Sequence, residues 1–360
     1  MNSLSVVFFG SFQFYSVQVL EALNSHFSVV AVITTPPRPA GRHLKLTPTE
    51  VALYAEKHHI PVYPLDNLDN IPTDLATGGQ ERGGARRSPA AGRRARGAAR
   101  RVFSSSVTAL APGDDGEIAE RTLTERAKGE LREAPPHRPD FLVVAGYGKL
   151  IPPPWLSFPK VAPVNMHPSL LPYYRGRCPV EWAILKGETQ TGVTLVEMSP
   201  EFDKGKILAQ KAMPITPADT RQILYHKLYD LGGQLLVETL PQIAAGRVKP
   251  QPQPPGKYFY ARQITREDGF VPWKKLKEAM DTGKEADYVE RQFRALHPWP
   301  GLWTEVEVTR DKQQVTSKTD QRLKVLSCHM SPVTSRLSLD FVQLEGKKPV
   351  SFNQFVEAYL

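Results

Sequence analysis

Three side-chain types suited to carbonyl chemistry stand close together in the chain: the amide of Asn165, the imidazole of His167 and the hydroxyl of Ser169. A carboxylate, Asp203, follows in the loop Ser199-Pro200-Glu201-Phe202-Asp203-Lys204-Gly205, between two apolar runs. An amide N–H can hold the negative charge that builds on a carbonyl oxygen, an imidazole can carry a proton, and a carboxylate can orient that imidazole. On loops at strand ends, such a set makes an acyl-transfer site. Asn-x-His at a strand end serves equally as a structural pair, and spacing alone does not bring Asp203 to His167.

These groups need elements to position them. Val161-Ala162-Pro163-Val164 reads as the end of a buried strand. Asn165 and His167 are two residues apart, so they project from one face if the strand continues. Pro168 and Pro172 stiffen the loop that follows and keep it from becoming a helix. Upstream, Val6 to Gly10 reads as a buried strand, Val17 to Leu23 has helical spacing, and Val29 to Thr34 is a second buried strand. Strand, helix, strand within so short a stretch is a βαβ unit of a parallel sheet. The first turn, Gly10-Ser11-Phe12, has one glycine and lacks the three-glycine dinucleotide fingerprint, which excludes a nicotinamide or flavin enzyme. Phe141 to Ala145 is a further strand, and Gly146 to Pro152 follows its carboxyl end, where ligands of open α/β sheets bind. Pro179 to Lys186 reads as a helix. Gly192 to Met198 and Ile207 to Ile215 read as a hairpin around Asp203. Asp219-Thr220-Arg221-Gln222 resembles a capping box. It opens a helix whose stripe of Ile223, Leu224, Leu228, Leu231, Leu235, Leu236, Leu240 and Ile243 is expected to be core.

The segment Asn165-Met166-His167-Pro168-Ser169-Leu170-Leu171-Pro172-Tyr173-Tyr174-Arg175-Gly176, with Pro179 to Trp182, Gly187 to Thr194 and the Asp203 loop, resembles the signature of the folate-dependent formyltransferases. The resemblance implies an α/β chain: a Rossmann-like parallel-sheet catalytic domain over 1–248 and a small C-terminal OB-like β-barrel that binds tRNA over 258–360, and the stretch 249–257 between them, with Gln251 to Lys257 rich in Pro and Gln, reads as a linker by composition. It implies 10-formyltetrahydrofolate as co-substrate and no metal. Asn165 would donate to the oxyanion. His167 would act as proton carrier or second electrostatic stabiliser, with Asp203 orienting it. Gly146 to Pro152 resembles the family's Ala-Tyr-Gly-x-x-Leu/Ile-Pro loop, so Tyr147, Gly148 and Ile151 are expected to line the folate pocket, together with Ser169, Leu170, Leu171 and Pro172.

The loop from Thr35 to Pro48 carries Arg38, Arg42 and Lys45 and no acid. By composition it is either a solvated loop or a phosphate-backbone contact. It is similar to the Pro-Asp-Arg-Pro-Ala-Gly-Arg insertion of the family's branch that formylates methionyl-initiator tRNA, with Pro37 where Asp is usual. Tyr260 to Gly269 and His297-Pro298-Trp299-Pro300-Gly301 match that branch as well. Acceptors with a sugar-nucleotide or other small amine are the alternative within the family. A non-catalytic RNA-binding protein on the same fold is the alternative outside it.

The 360 residues suffice for two domains, and the apolar share of 41% suffices for their cores. No apolar run approaches the length of a membrane span. An apolar strand begins within a few residues of the start, which leaves no room for a signal peptide, so a cytoplasmic protein is expected. The two cysteines, Cys178 and Cys328, have no ligand spacing and are expected to be reduced. The net charge is +9, but Ala76 to Phe103 holds eight arginines against Glu81 alone, a local +7 that leaves +2 elsewhere. The stretch 76–116, rich in Ala, Gly, Arg, Ser and Pro, has almost no apolar period. It is expected to be a disordered insertion, with a cationic RNA-binding arm as the alternative. The resemblance carries over the expectation of a monomer.

Overall fold

A computed structural model describes residues 3–40, 44–73, 75, 138–309 and 318–360. The expected insertion at 76–116 and Arg42 lie outside the described residues. Ile71–Arg138 forms a separate unit, of which five residues are described. The rest of the chain is one compact unit.

Its frame is a seven-stranded sheet of order β10-β9-β7-β6-β1-β2-β5. The strands are β1 (Ser5–Phe9), β2 (Ser28–Thr34), β5 (Val62–Pro64), β6 (Phe141–Val144), β7 (Ala162–His167), β9 (Gln190–Glu197) and β10 (Ile207–Pro214). From β7 to β5 all pairings are parallel; β9 and β10 run antiparallel at one edge. This is the parallel-sheet α/β architecture expected. Every residue of β6 and four of the five in β1 are buried, as strands covered on both faces require. Helices α1 (Gln13–His26) and α5 (Arg221–Ala244) pack together and share one core with the strands. In α5 the side chain of Thr220 caps Ile223 N–H, one residue later than the sequence suggests. Asp219 instead caps Thr216 and pairs with Lys227. The apolar stripe of α5 is buried at Leu224, Leu228, Leu235, Leu236 and Leu240, but Ile223 in the first turn is 44% exposed.

The cationic loop folds as a small exposed hairpin of β3 (Arg38–Ala40) and β4 (Lys45–Thr47). Helix α2 (Glu50–Lys57) follows, its first turn capped by Thr49. A short helix, α3 (Pro153–Leu156), buries Trp155 completely. Its ring meets Phe9 edge-on at 5.0 Å, and its Nε1–H donates to Leu68 O at 2.9 Å. This anchors the floor beneath the Tyr147–Ile151 turn.

The C-terminal region has a second core. Strands β12 (Leu302–Thr309), β13 (Lys318–Met330), β14 (Leu337–Leu344) and β15 (Val350–Ser351) form an antiparallel sheet in sequence order, consistent with the small barrel-type domain expected. Helices α6 (Trp273–Asp281), α7 (Ala286–Leu296) and α8 (Phe352–Tyr359), which sequence spacing did not single out, cover its apolar face around Leu276, Val289, Leu323, Val342 and Phe355. The stretch with linker composition does not hang free. Gln251 exchanges both backbone hydrogen bonds with Ile207 at the edge of β10. Further on, β11 (Tyr260–Ala261) pairs in parallel with β8 (Arg175–Gly176).

Trp155→Ala should lower stability by about 3–5 kcal/mol, the usual cost of emptying a large aromatic site. Denaturant unfolding checks this, and a loss below 1 kcal/mol would mean that the site collapses without cost.

Candidate active site

Strand β7 ends at the carboxyl edge of the sheet and delivers Asn165 and His167 to one face, as their spacing predicts. The loop between β9 and β10 then brings Asp203 over that face. The Nδ2 of Asn165 lies 3.5 Å from Asp203 Oδ1, and His167 Nδ1 lies 3.5 Å from the same oxygen. The other carboxylate oxygen accepts the N–H of Gly176 at 2.9 Å. His167 is 5% exposed and Asn165 half-buried, so both are shielded yet reachable. The three residues that the sequence nominated for carbonyl chemistry therefore meet.

The imidazole has a fixed tautomer. Its Nε2 lies 3.0 Å from the carbonyl oxygen of Tyr174. A carbonyl only accepts, so Nε2 carries the proton, and Nδ1 is the atom that can take one up. A proton there would sit beside Asp203. Asn165 has two amide protons, so one can turn toward Asp203 while the other points to a ligand.

These groups open into a cavity of about 550 Å³, in the range of small-molecule sites. Asn165, His167, Asp203, Tyr147, Gly148 and Ile151 all line it. Gly148 has φ +77°, a conformation that costs glycine nothing. Tyr147 is 3% exposed, its hydroxyl is buried with no protein hydrogen-bond partner, and burial pushes its pKa up to about 12. Ser169, Leu170, Leu171 and Pro172 do not line the cavity. Ser169 donates to Tyr173 O, Leu171 N–H donates to Thr194, and Thr194 donates back to Ser169 O. Ser169, Leu171 and Pro172 are buried and Leu170 is half-buried, in a turn bonded to β9.

Several lining groups escaped the sequence analysis. In helix α4 (Pro179–Lys186), Glu181 is buried, and burial raises its carboxyl pKa against the hydrogen bond from Tyr225 (2.8 Å) and the charge of Arg221 (3.5 Å). Arg221, Tyr225 and Tyr229 are spaced four apart on α5 and all line the cavity, a periodicity visible in the sequence but hidden among the apolar stripe. Cys178 also faces the cavity. Burial, then the nearby Glu181 charge, push its thiol up to about 11, so it stays protonated and is no nucleophile. Cys328, equally free, is pushed up to about 12 by burial. Among the described residues no cluster of His, Cys, Asp and Glu could hold a metal, and no helix is long and apolar enough to cross a membrane.

Arg38 and Lys45 are exposed on the β3–β4 hairpin and do not line the cavity.

Comparison with known proteins adds to this geometry. Residues 4–240 match the family model described as formyl transferase. The chain is 31% identical to the methionyl-tRNA formyltransferase of Enterococcus faecalis, covering 98% of this chain and 95% of the relative. It is 33% identical to that of Listeria monocytogenes, covering 84% and 75%. Among solved structures, a variant of HypX from Aquifex aeolicus superposes with TM-score 0.52 at 15% identity, covering 100% of this chain and 49% of that one. WlaRD, a sugar 3N-formyl transferase solved with dTDP and 5-N-formyl-THF, superposes with TM-score 0.50 at 14% identity, covering 97% and 100%.

Gly176 has φ +118°, and a Cβ there would stand 2.6 Å from Ala261 O. Gly176→Val should displace the N–H that Asp203 accepts. It should cut turnover more than tenfold, through geometry near the reacting atoms, in steady-state assays of transfer. Unchanged turnover in a folded variant would show that this hydrogen bond does not hold Asp203.

Proposed function

The chain belongs to the formyl transferase family, and from that premise we propose that it transfers the formyl group of 10-formyltetrahydrofolate to the α-amine of methionyl-initiator tRNA. One observation carries the catalytic part of the proposal: Asn165, His167 and Asp203 converge within 3.5 Å at the wall of a cavity large enough for a folate. The acceptor is inferred from the extent of similarity to the Enterococcus relative, which runs through both the catalytic body and the C-terminal region.

When bound, the folate supplies an activated formyl carbon, which the amine attacks as the new N–C bond forms and the bond to N10 breaks. Asn165 donates an amide N–H to the oxygen on which charge builds; one such donor is worth about 3 kcal/mol. His167 takes the amine proton on Nδ1, the ring atom not committed to Tyr174, and returns it to the leaving nitrogen. The carboxylate of Asp203, 3.5 Å away, stabilises the ring while it holds that proton. No covalent enzyme intermediate is required, in keeping with the protonated state of Cys178. Tyr147, Gly148 and Ile151 would receive the folate where they line the cavity. Arg38 and Lys45 would meet tRNA phosphates from the exposed hairpin, together with Arg42. The proposed division of the chain is a catalytic domain over 1–248, a connecting stretch over 249–257 and a tRNA-binding domain over 258–360. The enzyme would work as a cytoplasmic monomer.

Asn165→Ala and His167→Ala should each lower kcat by roughly 10²- to 10³-fold with the protein folded. Single-turnover transfer from 10-formyltetrahydrofolate to charged initiator tRNA measures this. Near-normal turnover of either variant removes that residue from the mechanism. Arg38→Ala should instead raise KM for the tRNA and leave KM for the folate unchanged, and an unaltered tRNA dependence would make the hairpin a bystander.

A further inference from the structure

The backbone of Asp203 is left-handed, φ +54°, a conformation uncommon for a residue with a Cβ, though aspartate tolerates it better than most, and it is held here by specific contacts. Those contacts come from the stretch 249–257. The side-chain amide of Gln253 donates to the carbonyl oxygens of Asp203 (2.7 Å) and Gly205 (2.8 Å). Its own oxygen accepts from Arg175 Nε at 3.0 Å and also from Arg175 Nη2. Arg175 directly precedes Gly176, whose N–H holds the Asp203 carboxylate. One glutamine thus joins the loop that carries Asp203 to the strand that grips its side chain. It is itself held in place two residues away, where Gln251 pairs with Ile207. Gly205 has no space for a side chain, since a Cβ would lie 1.6 Å from Glu197 O, so the loop cannot relax on that side.

We propose that Gln253, bridged to Arg175, is a positioning residue for the reaction: its two donated hydrogen bonds hold the Asp203 loop in the left-handed turn that keeps the carboxylate against His167. The proposal rests on the catalytic reading above. The chemistry discriminates among side chains. Only a primary amide can donate to two carbonyls while accepting from a guanidinium. A glutamate keeps the contact with Arg175 but turns two donated bonds into repulsions with carbonyl oxygens. An alanine loses all of them.

The test is a double-mutant cycle in the full-length enzyme, with Gln253→Ala, Gln253→Glu, Asp203→Asn and the combined variants. Gln253→Ala and Gln253→Glu should each lower kcat by about 10- to 100-fold, the cost of misplacing a catalytic group by about 1 Å. KM for the folate should change less than twofold. In the Asp203→Asn background the same substitutions should cost less than twofold, because the group they position no longer acts. A second readout is independent of turnover: the ring 15N resonances of His167 should move in Gln253→Ala as they do in Asp203→Asn. Losses that multiply across the two backgrounds, or His167 resonances that stay at their wild-type positions in Gln253→Ala, overturn the proposal. Failure of the wild-type enzyme to formylate charged tRNA would sink the catalytic reading instead, and the resonance experiment would still decide the role of Gln253. Should Gln253→Ala fail to fold, Gln253→Glu supplies the same readouts.

Discussion

The structure of the site depends on where one carboxylate is held. Asp203 sits on a loop between two antiparallel strands, at the edge where the sheet stops being parallel. Its side chain is gripped by a backbone N–H from the β8 strand and faces the amide and imidazole presented by β7. Its backbone is left-handed, a conformation that costs a residue with a Cβ up to about 1–3 kcal/mol, less for aspartate than for most, and that contacts elsewhere must offset. The parallel strands β1, β6 and β7 form a largely buried base from which Asn165 and His167 project. The part that must be fixed by other means is the carboxylate, and chain segments far apart in sequence meet to fix it.

How much of this could be read from the amino-acid sequence follows from the range of the interactions. The parallel sheet was legible because continuous apolar runs such as Val6 to Phe9 and Phe141 to Val144 are what strands covered on both faces need. The shared face of Asn165 and His167 was legible because strand alternation is local. The approach of Asp203 was not, since a 38-residue separation carries no geometric signal. Ser169 to Pro172 read as a stiff, non-helical loop because prolines exclude a helix, and ligand contact there was implied by the family resemblance alone. Its bonding to Thr194 on β9 was not legible, because the partner lies far along the chain. The stretch from Gln251 to Lys257 looked like a tether by composition, yet two of its glutamines are bonded to the catalytic body. Composition reports how a segment behaves alone and says nothing of a docking site formed elsewhere.

Polar groups set the character of the cavity as much as the catalytic three do. Glu181 is buried beneath Tyr225 and beside Arg221, so a hydrogen bond and an opposite charge together offset the cost of burying its carboxyl. Such a network favours one arrangement of the α4 and α5 surfaces, because any shift would strand a buried carboxyl. Tyr147, another residue of the lining, is the contrasting case: its hydroxyl is buried without a protein hydrogen-bond partner.

The central claim is that this site moves a formyl group to the amine of a charged tRNA. The most direct test offers the protein 10-formyltetrahydrofolate with methionyl-initiator tRNA, uncharged tRNA and an amino-sugar nucleotide in parallel, and follows the formylated products. The account expects formyl transfer to the charged tRNA and to neither control. Transfer to the sugar nucleotide in preference, or no transfer to any acceptor by a folded protein that binds folate, would contradict it.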